Sequence, residues 1–358
     1  MALLLLDGFE TYGSGGITGV NLETDLEQIW TDADGDTYSY ITVPGRNGFG
    51  ACLNLSPNGY SFVGKHFVGD PKQTWIIGFA VLLPTDSTYD DNWRYMYSAQ
   101  SDVEASQITL RLGHTDSIGV WIGFWDGGAY LHQESLPGTF RTGVWNFVEF
   151  KYTIDATVGS YEVRVNGLTI MSGSGLDTDF SGDGDVAKHI FLNAKYNMKI
   201  DDVYICDDLG GSFDDFLGHQ HTVLGLTPSA DTAQLDWSAQ PAGSHYANID
   251  EDGGNDGTDY VYDSLAGNED LYDYSDLPAT IGDVMLVDIW TQAALSVAGS
   301  ESLVLTCQSG ATHSDGSTEA VTDTAYTTFH RRMLQDPNTA AAWTEAGFNA
   351  AQFGVKVG

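Results

Sequence analysis

"GVWNFVEFKYTIDATVGSYEVRVNG", residues 143–167, decides the fold. Val144, Val148, Phe150, Tyr152 and Ile154 share one face of an extended chain, with Asn146 the polar exception, and Glu149, Lys151 and Thr153 share the other. "YEVRVNG" then alternates, with Tyr161, Val163 and Val165 inward and Glu162 and Arg164 outward. A period of two with one wet face predicts an antiparallel sheet. Asn166-Gly167 is a turn dipeptide that tolerates positive φ and predicts a second hairpin into "LTIMSG".

Further strands are predicted on both sides of this hairpin: residues 49–55, 74–84, 107–113 and 118–125 before it, and 188–194 and 198–208 after it. Gly, Pro, Asp and Ser bound them, and no long amphipathic helix interrupts the first 210 residues. Many short strands joined by polar turns predict a sandwich or jelly roll. Alternation fades after residue 208. The expected organisation is therefore a sandwich over 1–215, a linker over 216–230 and a second β domain over 231–358. In the second domain, strands are expected at 234–238, 245–250, 258–264, 281–292, 301–309 and 325–333. "DPNTAAAWTEAGFNAAQ" carries the one helix signal, with Pro337 near its start and Asp336 or Asn338 as caps. "FGVKVG" is expected to close the chain as a strand.

Composition supports an all-β chain of 358 residues: Gly 42, Tyr 18, Phe 16 and Trp 9. Fourteen Lys and Arg against 50 Asp and Glu give a formal charge of −36. Such a surface repels nucleic-acid phosphates and anionic membranes, so neither is an expected partner. Cys52, Cys206 and Cys307 lie far apart and form no disulfide framework, which points to synthesis in a reducing cytosol. "MALLLLDGFE" lacks a basic n-region and its apolar run stops at Asp7, so it reads as a first strand rather than a signal peptide. No stretch is long enough to span a membrane.

"LDGFE", "WIIGFAVLL", "GVWNFVEFKYTID…YEVRVNG" and "IDDVYICDD" together resemble the concanavalin A-like lectin/glucanase fold in its laminin-G-like form, over about residues 1–210. That fold hosts lectins, hydrolases and purely structural modules. "LDWSAQPAGSHYANIDE", "DLYDYSDLP" and the ending "DPNTAAAWTEAGFNAAQFGVKVG" resemble C-terminal β domains in structural proteins of tailed bacteriophages. The resemblance implies a virion component carried on the particle surface and made in the host cytoplasm without a signal peptide. It also implies other virion proteins, of capsid or tail, and further copies of the chain itself as partners.

Four groups of residues are candidates for chemistry. In "IGVWIGFWDGG", Val120, Ile122 and Phe124 share one face while Trp121 and Trp125 share the other. Flat rings with Gly between them suit stacking on sugar rings, contact with another domain or subunit, or core packing. Tyr130 joins the two Trp as a ligand or subunit contact. Glu23, Asp25 and Glu27 in "ETDLE" fall on one face of a strand and are compared with the E-x-D-x-E of laminarinase-type glucanases. Retaining hydrolysis needs carboxyl groups about 5–5.5 Å apart. The stretch lies near the N-terminus rather than mid-domain, and the competing reading is a solvated acidic turn. Asp32, Asp34 and Asp36, and Asp250 and Asp252 in "DEDGGNDGTD", are the candidate calcium ligands, with "GDGD" at 182–185 of the same kind. His219 and His221 form an H-x-H pair without a third ligand in register and read as linker histidines.

The expectation from sequence is an all-β chain: a concanavalin A-like sandwich, then a smaller jelly-roll-like β domain with a short C-terminal helix. The expected protein is not an enzyme and requires no cofactor, calcium being the one candidate. It is expected to act as a capsid decoration or fibre component through subunit contacts as a homo-oligomer. The alternatives are an adhesin for host surface polysaccharide and a glycan hydrolase using Glu23 and Glu27.

Overall fold

A computed structural model describes residues 3–12, 22–23, 26–27, 29–34, 40–48, 50–55, 61–67, 70–85, 94–100, 106–115, 117–126, 129–179, 186–194, 197–250, 257–279 and 282–358. More than half of the described residues are in strands and few are in helices. It divides into two compact units, Met1–Gly225 and Leu226–Gly358.

The first unit has two antiparallel sheets. One runs Leu168–Leu176, Gly159–Val165, Trp145–Thr153, Thr74–Leu82, Met198–Cys206, Cys52–Leu55, Tyr40–Thr42, with Leu3–Asp7 also paired to Met198–Cys206. The other runs Ala129–Glu134, Ser117–Asp126, Ser106–Thr115, Arg94–Gln100, His189–Ala194, Ser61–His66, Asp32–Asp34. The hairpin of the opening stretch forms as its alternation dictates: Val148 pairs Val165, Phe150 pairs Val163 and Tyr152 pairs Tyr161. These side chains are buried, as is Ile154, while Val144 is 48% exposed. Asn166 and Gly167 take φ of 51° and 79°, and Asn166 Oδ1 accepts the Phe147 N–H at 2.8 Å. Rings join the layers: Tyr97 of the second sheet meets Phe150 edge-on at 5.5 Å, and Phe124 lies 5.8 Å from Tyr161.

The wet face expected for Glu149 is not wet. Glu149 is buried, accepts the Tyr204 hydroxyl at 2.7 Å and takes the Gly218 N–H at 2.7 Å. Residues 217–225, expected as linker, are tied to this sheet. Leu217 N–H donates to Tyr204 Oη, Val223 N–H to Asp202 Oδ1 and Gly225 N–H to Glu10 Oε2. Arg46 locks the segment further, donating to the carbonyls of His219 and His221 while paired with Asp202 at 3.1 Å. The alternation of one strand does not reveal a covering segment that arrives 70 residues later.

The second unit is built on a five-stranded antiparallel sheet in the order Pro228–Leu235, Glu269–Tyr274, Ala351–Val357, Glu301–Ser309, Thr312–Val321. The C-terminal strand is central in it, paired on both sides. Two-stranded ribbons, Ser238–Gln240 with Tyr260–Tyr262 and Val287–Ala293 with Thr327–Met333, accompany it. Its core gathers Val287, Ile289, Leu305, Cys307, Met333, Trp343 and Phe353.

Two local expectations are corrected in this unit. Residues 245–250 hold a 3-10 turn, Tyr246–Asn248, rather than a strand, because Asp231 accepts the N–H groups of both His245 and Tyr246. The helix spans only Glu345–Asn349 and is capped by Thr344, whose hydroxyl accepts the Gly347 N–H at 3.0 Å. Asp336 instead organises a turn, accepting from Ser309, Asn338 and Thr339, before the buried Trp343 anchors its indole N–H on the Met333 carbonyl.

Candidate functional site

The seven-stranded sheet has one face in the core and one facing out. Val63, Ala99, Ile108, Leu110, Ile190 and Leu192 fill the core face. The register fixes what lies on the other. His66 pairs His189 and Gly64 pairs Phe191. Phe191 in turn pairs Ser98, which pairs Thr109. Gln107 is the extra residue of a bulge, since Ser106 pairs Gln100 and Ile108 pairs Ala99.

This outward face forms a floor and a flank. Ser98, Gln107 and Thr109 are buried although they face away from the core. Phe62, His66, His189, Phe191 and Asn193 beside them are half-buried. The rings form one cluster: Phe62 meets Phe191 edge-on at 5.4 Å, His66 meets His189 edge-on at 4.4 Å, and His66 lies 5.9 Å from Phe191. Gly64 makes room for the Phe191 ring. Asn193 Nδ2 reaches Ser98 Oγ at 3.5 Å. His66 Nε2 is buried and meets no hydrogen-bond partner among the described residues. A buried ring nitrogen of this kind is rare without a partner and suits one supplied from outside.

The structure treats the sequence candidates unevenly. Val120, Ile122 and Phe124 take the core, as their alternation requires. The backbone register sets Trp121 opposite Arg111 and Glu134, and Trp125 opposite Tyr130, so the three candidates stand at the far margin of this sheet, with the strands Ser106–Thr115 and Arg94–Gln100 between them and the ring cluster. The side chains of Trp121, Trp125 and Tyr130 lie outside the described residues. Glu23 and Glu27 are on a helical turn rather than a strand. Glu27 N–H donates to the Glu23 carbonyl at 2.9 Å, while Leu22, Leu26 and Trp30 turn into the core. Leu22, Leu26 and Trp30 recur every four residues, a helical spacing that outweighs the alternation of the acids. Asp25 lies outside the described residues.

Asp32 is half-buried on the edge strand Asp32–Asp34, and Asp250 is half-buried in a loop. The side chain of Asp34, together with Asp36, Asp252 and residues 182–185, is outside the described residues. Among the described residues no group of three or more His, Cys, Asp or Glu is placed to hold a metal ion. His219 and His221 lend their carbonyls to Arg46, and burial lowers the His221 imidazole to about 4, with the Arg46 charge adding to the effect. The three cysteines are buried.

Sequence reasoning missed His66, His189, Phe62, Phe191, Ser98, Gln107 and Thr109. A signal for them exists. The strands Ser61–His66, His189–Ala194, Arg94–Gln100 and Ser106–Thr115 contain no Asp or Glu, in a chain with 50 of them.

No family model matches the chain. No curated protein matches its sequence. Solved structures do resemble it. Alginate lyase vAL-1 from Chlorella virus is 14% identical, covering 54% of this chain and 98% of the lyase, with a TM-score of 0.39. The CBM2 module of the evolved Dit of Lactobacillus casei BL23 phage J-1 is 11% identical over 57% of this chain and 94% of the module, with a TM-score of 0.36. The CBM40 of Ruminococcus gnavus IT-sialidase, bound to alpha2,3 sialyllactose, is 15% identical over 43% of this chain and 89% of its own, with a TM-score of 0.30. The neighbours are β-sandwiches of carbohydrate-binding and lectin-like type. The expectation that the chain is not an enzyme is corrected by the first of them. Alginate lyases are enzymes, so a sandwich of this kind does not mark a chain as non-catalytic.

Proposed function

We propose that the first unit holds a polysaccharide along the outward face of its seven-stranded sheet, and that the chain does so on the surface of a bacteriophage particle. The observation that carries the glycan reading is the cluster of half-buried rings on this face, Phe62, Phe191, His66 and His189, with a buried His66 ring nitrogen among them that meets no partner among the described residues. Sugars present hydroxyls at their edges and C–H groups on their faces, so they need donors and acceptors beside flat rings. The virion setting rests on the sequence resemblance alone. Host surface polysaccharide is then the natural ligand.

The test is a screen of bacterial surface polysaccharides with the wild-type protein and Phe191→Ala. Loss of about 1–2 kcal/mol of binding is the expected cost of losing a stacking ring. Binding that Phe191→Ala leaves unchanged would remove the ring cluster from the site.

A second reading, a structural virion component acting through contacts with other virion proteins and its own copies, is favoured by one feature of the second unit. Tyr260 and Tyr262 are 37% and 52% exposed on a two-stranded ribbon, with ring centroids 5.9 Å apart. Exposed tyrosine pairs suit protein contacts. Light scattering on the double variant Tyr260→Ser, Tyr262→Ser should then report a smaller assembly than the wild type. An unchanged mass would remove this pair from any subunit contact.

A further inference from the structure

The opening hairpin continues into Leu168–Leu176, which ends the eight-stranded sheet on one side. That strand pairs Gly159–Val165, and among the described residues no second strand pairs it. An unpaired strand edge is a template for another chain, and proteins blunt such edges with charge, proline or shortness. The outer strands of the other large sheets are blunted in these ways, as is the far end of this one. Asp32–Asp34 and Tyr40–Thr42 have three residues each. Ala129–Glu134 carries Glu134, Pro228–Leu235 carries Pro228 and Asp231, and Thr312–Val321 carries Asp315 and Glu319. Leu3–Asp7, off the main path, ends in Asp7. Leu168–Leu176, "LTIMSGSGL", has nine residues with no charge and no proline.

The alternation of hydrogen bonds fixes which groups stand at this edge. Asn166 N–H donates to the Phe147 carbonyl, so Ser160, Glu162 and Arg164 turn their backbone groups toward Trp145–Thr153, while Tyr161 and Val163 turn theirs the other way. Tyr161 pairs Gly173 and Val163 pairs Met171. Met171 and Gly173 therefore bond within the sheet, and Ser172 and Ser174 direct their N–H and C=O groups outward. Both serines are exposed, Met171 is buried, and Gly173 lies against the Tyr161 ring. Bulges at Ile170 and Gly175 twist the two ends away and leave Met171–Ser174 as the straight stretch.

Charge then selects the occupant. A chain of charge −36 repels its own copies. Residues 165–176 hold no ionisable group, so two copies meeting along this strand bring no carboxylates together there. An edge of this kind is also its own complement, because a two-fold axis pairs it antiparallel with an identical strand.

We propose that two copies of the chain join through Leu168–Leu176, antiparallel about a two-fold axis at Gly173. Ser172 of each copy pairs Ser174 of the other and exchanges both backbone hydrogen bonds with it. Glycine at the axis keeps side chains out of the approach, and Ile170 of each copy falls beside Leu176 of the other. The two Asp177 residues stand at opposite ends of the pair. This contact uses the sheet opposite the ring cluster, so it does not depend on the glycan reading.

The experiment is sedimentation velocity of the full chain from about 1 to about 100 µM, since a short edge pairing is a small and weak interface. A monomer should give way to a dimer as concentration rises. The double variant Ser172→Glu, Ser174→Glu sets carboxylates directly opposite one another and should raise the dimer dissociation constant at least about tenfold. Ser172→Pro removes one outward N–H, is tolerated on an edge, and should act in the same direction. In the wild type, exchange of the Ser172 and Ser174 amides should slow as the dimer forms, a readout that needs no variant to fold. A monomer throughout the range overturns the proposal, as does a dimer whose dissociation constant neither folded variant changes. Slow exchange of these two amides in the dilute monomer overturns it too, because another segment of the same chain would then hold the edge.

Discussion

Gly64 sits beneath the Phe191 ring, where a Cβ would fall 2.6 Å from Phe191 Cε1. Its backbone is ordinary strand, so Ala is tolerated by φ and resisted only by the ring. Gly64→Ala should therefore displace Phe191 and weaken glycan binding at least tenfold, with a melting temperature close to wild type. Binding at wild-type strength would show that the ring's position does not matter. Gly167 is the contrasting case. Its φ is +79°, and a Cβ there would lie 2.5 Å from His219 Nδ1. Gly167→Ala is expected to cost roughly 1–3 kcal/mol of stability, read from denaturant midpoints, and to leave the site intact. The Asn-Gly turn was legible because its chemistry is local. Gly64 was not, because its reason is a ring on a strand 127 residues away in sequence.

Among the elements, Arg46 does most to hold the 217–225 segment. It pairs with Asp202, bonds two carbonyls of the segment and covers the Phe147 ring at 4.7 Å. Both partners of the ion pair are largely buried, at 12% and 1% side-chain exposure. Arg46→Ala leaves Asp202 buried without its cation and should cost roughly 3 kcal/mol. Hydrogen exchange should speed up across 217–223. Unchanged protection there would show the segment held by other contacts. The same geometry predicts that a fragment ending at Gly225 folds, whereas one ending at residue 215 melts lower because Tyr204, Glu149, Asp202 and Glu10 lose their N–H donors. The strands legible in the sequence were those that alternate cleanly, such as Trp145–Thr153 and Gly159–Val165. "SFVGKH" and "RYMYSAQ", two of the strands that build the site, were not. Gly64 and the small polar residues of the floor break the alternation that marks a strand. The helix was overextended for the converse reason: an Ala-rich run favours helix locally, and Asp336 with its turn overrides it.

For the whole molecule, pH is the lever. Burial raises Asp7 to about 6, against donors from Tyr12, Phe9 and Trp30, and raises Glu10 to about 8. Burial also raises Asp201 and Asp202, and the Asp202 charge pushes Asp201 further. The folded chain therefore keeps protons that the unfolded chain gives up near 4. The stability they contribute is full below that point and is lost as pH rises through about 6 and then about 8. Asp155 acts in the opposite sense. The N–H groups of Val158 and Thr157 lower it, so its contribution is lost as pH falls below the usual carboxylate range. The melting temperature should peak near pH 5 and decline toward pH 9. A flat profile or a rise over that range would contradict the buried-carboxyl assignment. The all-β class was legible from the spacing of strands and turns. The site was not, because its residues come from strands far apart in sequence and only the register brings them together.

The central claim is that a glycan lies on the outward face of the seven-stranded sheet. The most direct measurement is hydrogen exchange of the full chain with and without a polysaccharide that it binds. Ligand-dependent protection should appear in residues 61–66, 94–100, 106–115 and 189–194. Protection confined to the ribbon at 260–262, or to the opposite sheet, would contradict the account.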